Sequence, residues 1–157
     1  MPSLFVLAVG IGLFAILAYD YRLQQPRGGA ARDYAELMTV EVMGRYRDVL
    51  PEQGESFRYC ARPYPAYVNV SFALSERAFR DWALTHGLAM REVNPDAERV
   101  AESFIFEDLE GAPEVITVRD GLIYSENVYD GANLGSSILV AYARSTGRGY
   151  YSYVAMD

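Results

Sequence analysis

Ser137 to Ala155 reads SILVAYARSTGRGYYSYVA, and its reading decides the fold. Two runs rich in aliphatic and aromatic residues, Ser137 to Arg144 and Gly149 to Ala155, flank Ser145-Thr146-Gly147-Arg148. Such runs suit strands, and a short glycine-containing break between them suits a hairpin loop. A hairpin is antiparallel by construction. Upstream, Val115 to Arg119 and Leu122 to Val128 flank Asp120-Gly121, a two-residue hairpin signal. The last third of the chain is therefore expected to be an antiparallel sheet of two hairpins.

Moving towards the N-terminus, Asn94-Pro95 opens a short helix expected to run to about Phe104, with Pro at its first position. SERAFRDWALTHG, starting at Ser75, reads as a firmer helix. Ser75 is a good N-cap, Leu74 and Phe79 are spaced as a hydrophobic staple, and Gly87 supplies the stop. Phe57 to Ala73 is extended, with Tyr67, Asn69 and Ser71 alternating against Val68, Val70 and Phe72, the pattern of a half-buried strand. Ala31 to Val49 is expected to be a helix, because Ala35, Met38, Val42, Tyr46 and Val49 recur at helical spacing. The fold class expected is α+β: an antiparallel sheet of about five strands with about three helices packed on one face.

Ahead of this domain, Ser3 to Tyr19 reads SLFVLAVGIGLFAILAY and carries no charge. At 1.5 Å per residue it is ~25 Å long, near the short limit for a bilayer span. Met1-Pro2-Ser3 supplies no basic n-region, so an uncleaved anchor is expected over a cleaved leader. Tyr19, Tyr21 and Arg22 fall where an interfacial belt would sit. The expected organisation is a transmembrane anchor over 1–22, a flexible linker over 23–30 around Pro26, Gly28 and Gly29, and a single α+β domain over 31–157. This makes the chain a single-pass membrane protein touching the bilayer through residues 3–19. Arg22, Arg27 and Arg32 favour a cytoplasmic domain by the positive-inside rule, with an extracytoplasmic one as the alternative.

The net charge is −7, and all 14 basic side chains are arginine. An acidic domain is the wrong partner for nucleic acid. One histidine, His86, and one cysteine, Cys60, leave little for zinc or His-based acid–base chemistry. His86 reads as a helix-end residue and Cys60 as a buried apolar one. The acids Glu107, Asp108 and Glu110 match no calcium-loop spacing, and Asp130 to Ser137 reads as a plain loop. No cofactor, metal or catalytic residue is assigned.

The unusual feature is 13 tyrosines. Tyr142, Tyr150, Tyr151 and Tyr153 lie in the last hairpin, with Arg144 and Arg148 beside its loop. Tyr150 and Tyr151 are adjacent and must point to opposite faces, so part of this aromatic supply is expected at the surface. Exposed Tyr with Arg is the composition of protein contact surfaces. The function expected is a membrane-anchored, non-enzymatic interaction domain, an accessory or assembly subunit of a bacterial membrane or envelope complex with a protein partner. The alternative is a small-ligand-binding module with a pocket between a curved sheet and its helices, and an enzyme ranks third.

Overall fold

In the computed structural model, residues 25–63, 66–94, 102–107, 113–129 and 135–156 are described, and most of them are strand. In chain order the elements are β1 (Arg27–Asp33), α1 (Tyr34–Leu37), a 3-10 turn (Met43–Tyr46), β2 (Glu55–Pro63) and β3 (Ala66–Ala73). There follow α2 (Glu76–Thr85), β4 (Arg91–Val93), β5 (Glu102–Glu107), β6 (Pro113–Val118), β7 (Gly121–Tyr129), β8 (Gly135–Ala143) and β9 (Arg148–Met156). Seven strands form one sheet in the order β1-β2-β3-β9-β8-β7-β4, while β5 and β6 pair separately. Every pairing is antiparallel.

The C-terminal hairpin forms, with its loop one residue earlier than expected, at 144–147, so that Arg148 opens β9; Ile138 faces Tyr153 and Val140 faces Tyr151 across it. β3 then inserts beside β9, pairing Val70 with Tyr151 and Phe72 with Gly149. This long-range pairing makes β3 a central strand. Its residues Tyr67 through Phe72 are all buried, so the half-buried strand expected from their alternation is buried on both faces.

One face of the sheet carries the main core. Phe57, Val68, Val70, Phe72, Val140, Tyr142 and Tyr151 meet Phe79 and Trp82 of α2, with Leu37, Met43 and Leu50 from the segment after β1. Burying a side chain of this size is worth ~1.5–3 kcal/mol, so these residues dominate the stability. α2 behaves as its caps require: the Ser75 hydroxyl accepts from the Ala78 amide, and Phe79, Trp82 and Ala83 form the buried stripe. On the opposite face Phe106 and Val118 of the small sheet pack on Ile123, Ala141, Ala143 and Tyr150.

The fold class is therefore corrected. The structure is mainly β, with nine strands and two α-helices among the described residues. The helix expected over Ala31 to Val49 is a strand end, one four-residue helix and a 3-10 turn. Asp33 caps α1 by accepting the Glu36 amide, and the fully buried positions are Leu37, Met43 and Leu50, not the helical stripe. Arg27 to Ala30, expected in the linker, pair with β2 as the sheet's edge. Of the helix expected after Asn94, residues 95–101 lie outside the described residues, and Glu102 to Phe104 are strand β5. There Ile105 stands opposite Val115 in the ladder with β6. The Asp120-Gly121 hairpin does not form either. β6 pairs with β5 while β7 pairs with β8 and β4, so the chain changes sheets at that point.

The apolar run 3–19, with Tyr19, Tyr21 and Arg22, lies outside the described residues. Among the described residues no helix is long and apolar enough to cross a membrane. The expected single-pass topology and the cytoplasmic placement drawn from it are withdrawn.

Candidate functional site

The tyrosines of the last hairpin turn out to be core. Tyr142, Tyr150 and Tyr151 are 4%, 7% and 6% exposed. Tyr150 and Tyr151 do point to opposite faces, and both faces are covered. Tyr151 joins the main core, where burial pushes its phenol up to about 12. Tyr150 stands edge-on to Phe106 at 5.7 Å. The Tyr142 hydroxyl donates to the Leu74 carbonyl at 3.0 Å, and its ring lies 5.0 Å from Phe79. Tyr153 is half-buried against Tyr46.

The two arginines are also occupied. Arg148 donates to the Ser56 carbonyl at 3.0 Å and the Ser71 hydroxyl at 2.9 Å, and burial lowers its pKa. Ser56 has φ of 50°, rare for a residue with a side chain, and sits where the β2–β3 register shifts. Arg148 thus braces a bulge. Arg144 donates to both Glu76 oxygens at 2.8 and 2.9 Å, to Asp120 at 2.6 Å and to Glu92 at 2.7 Å. Arg80 bonds Glu76 and Glu92 as well. This network fastens α2, β4 and the start of β7 to the hairpin loop.

Hydrogen bonds from Arg144 hold the Glu76 carboxyl at about 2, against 4.5 for the free group. A folded-state value below the unfolded one means stability that is complete above the unfolded value and lost as pH falls through the folded one. The urea midpoint is therefore expected to fall between pH 4.5 and 2, and Glu76→Gln is expected to flatten that part of the profile. Because these side chains are partly exposed, Arg144→Ala is expected to cost only about 1–2 kcal/mol at neutral pH.

The remaining candidate is a cleft of about 450 Å³ between α2 and residues 47–53. Asp48, Leu50 and Glu52 line one side, and Asp81, Trp82 and His86 the other. His86 ties the two walls: Nδ1 lies 2.8 Å from the Trp82 carbonyl oxygen and Nε2 lies 2.9 Å from that of Asp48. The Tyr34 hydroxyl braces the outer wall by donating to the Arg47 carbonyl at 2.6 Å. Trp82 is 9% exposed, and its indole Nε1 is buried without a hydrogen-bond partner. An unpaired buried donor of this kind costs about 1–3 kcal/mol.

No family model, no curated protein and no solved structure matches this chain. The cleft is therefore read from its own chemistry. Both nitrogens of His86 face carbonyl oxygens, so neither is open to take a proton from a bound molecule. Thr85 donates its hydroxyl to the Asp81 carbonyl. Among the described residues no three His, Cys, Asp or Glu side chains come together as a metal site. Cys60 is fully buried with its sulfur 3.5 Å from the Tyr67 oxygen. Sequence reasoning missed the cleft because its walls lie some 30 residues apart in the chain. The one local hint was the pairing of Trp82 and His86 on one face of α2, four residues apart.

Proposed function

We propose that the domain is a non-enzymatic binding module and that its ligand seats in the cleft between α2 and residues 47–53. The observation that carries this reading is the cleft itself. Its volume falls in the ~300–1,000 Å³ range of ligand sites, and it joins an apolar floor to a few polar groups. The space between sheet and α2 is filled by Phe57, Phe72, Phe79 and Trp82, which favours this outer cleft over a pocket inside the sheet. The closed nitrogens of His86 favour binding over acid–base catalysis. The buried hairpin tyrosines leave the aromatic-surface reading without its observation.

The test is amide chemical-shift mapping of the full chain against a fragment set with cationic, neutral and anionic members. Saturable shifts confined to residues 47–53 and 74–86 are the expected result. No saturable shifts there would refute the reading.

A further inference from the structure

We propose that β1 pairs with β1 of a second copy of this chain, antiparallel about a two-fold axis at Ala30, joining two sheets edge to edge. The proposal is independent of the cleft.

The two edges of the seven-stranded sheet differ. At one edge β4 is three residues long, and a very short strand is a usual way to blunt an edge. At the other, β1 runs for seven residues, Arg27-Gly28-Gly29-Ala30-Ala31-Arg32-Asp33, and only its β2 side is paired among the described residues. The Arg32 amide turns away from β2 and donates to the Glu36 carboxylate at 2.7 Å. Backbone groups alternate along a strand, so the amides and carbonyls of Gly28 and Ala30 face outward as well. An edge of this kind adds a further strand through main-chain hydrogen bonds.

The charges identify that strand. β1 has a cation at its first residue and an anion at its last. Antiparallel pairing about Ala30 sets Arg27 opposite Asp33, Gly28 opposite Arg32 and Gly29 opposite Ala31 of the second copy. Arg27 and Asp33 then fall at positions without ladder hydrogen bonds, where facing side chains come closest. Arg27 takes no salt bridge among the described residues. Asp33 uses Oδ1 to cap α1, while Oδ2 meets only the exposed Arg32 at 3.2 Å. The two-fold axis repeats the Arg27–Asp33 pair, so β1 is its own complement. Parallel pairing in register would instead set Arg27 beside Arg27.

The middle of the strand leaves room for this approach. Tyr59 of β2 lies over Gly29, Ala31 is buried in the main core, and the exposed Ala30 offers only a methyl group. A single strand pair buries less than the ~1,000 Å² of a stable interface, so a dissociation constant of micromolar order or weaker is expected.

The test is sedimentation velocity of the full chain across a concentration series, with the apolar run 3–19 held in a mild detergent. A monomer–dimer equilibrium is expected. Ala30→Pro removes an outward-facing amide, a change that edge strands tolerate, and is expected to abolish the dimer while thermal unfolding stays as in the wild type. Arg27→Glu, at an exposed site, sets like charges opposite each other twice and is expected to weaken the dimer about tenfold. It serves as the second variant should Ala30→Pro fail to fold. Register is read by oxidation. Ala30→Cys is expected to form a disulfide dimer, because facing Cα atoms of a hydrogen-bonded pair lie ~5.5 Å apart. Gly28→Cys is expected to form none, since its two copies stand roughly 13 Å apart along the ladder. The native Cys60 is fully buried. A monomer up to ~1 mM would overturn the proposal. So would a dimer that both Ala30→Pro and Arg27→Glu leave intact, which places the contact elsewhere, or equal cross-linking by the two cysteine variants.

Discussion

Gly121→Ala is expected to unfold the domain or to cost roughly 3 kcal/mol or more. A Cβ at this position would lie 1.8 Å from the Tyr142 carbonyl oxygen and 3.1 Å from Val118. The first obstacle is backbone. It belongs to the ladder where Leu122 faces Tyr142 and Gly121 faces Ala143, in the interior of the seven-stranded sheet. No rotamer change relieves such a contact, so the strand must move and lose pairing with β8. Thermal unfolding and the dispersion of the amide spectrum measure the outcome. Wild-type stability in the variant would mean that β7 does not approach β8 as described.

Phe72→Ala is expected to cost about 3–5 kcal/mol. The ring is fully buried, with ring centres 5.8 Å from Phe57, 6.4 Å from Phe79 and 5.9 Å from Trp82. It also lies over Gly149, where an added Cβ would meet it at 2.3 Å. Removing the ring empties the junction of sheet and α2, and neighbours held by two strands and a helix cannot collapse into the gap. Domains are stable by only ~5–15 kcal/mol, so the loss is a large share. Gly149→Ala supplies an internal control. It is destabilising with Phe72 present and is expected to become milder in the Phe72→Leu background, a coupling that urea denaturation of the four proteins reads directly. Additive effects would place Phe72 away from Gly149.

The neighbouring tyrosines show how a correct local inference can mislead at the next level. Alternation along a strand assigns Tyr150 and Tyr151 to opposite faces, and they occupy them. The step from opposite faces to exposure assumed a sheet covered on one side only. Phe106 and Val118 cover the second side, and nothing near the hairpin in sequence announces that. Asp120-Gly121 misleads in the same way. Its composition suits a hairpin turn, but here Asp120 accepts from Arg144 and Gly121 permits a close backbone approach. Both residues serve distant contacts. The cleft was less legible still, since Asp48 and Glu52 meet Asp81 and Trp82 only after folding.

What the amino-acid sequence determined by itself is local. It specified the β8–β9 hairpin, the extended character of Phe57 to Pro63 and of Ala66 to Ala73, and α2 with its serine cap and glycine stop. Each rests on turn chemistry, capping or side-chain periodicity within about a dozen residues. The tertiary structure decided the rest: β3 beside β9, Arg27 to Asp33 as an edge strand, a second small sheet, and the acidic cleft against Trp82. A strand's ladder partners can lie anywhere in the chain, and burial on both faces of a sheet depends on all of them at once. Local preference differs by a few tenths of a kcal/mol per residue, whereas burying one aromatic side chain is worth ~1.5–3 kcal/mol. Where the two disagreed, long-range burial set the fold.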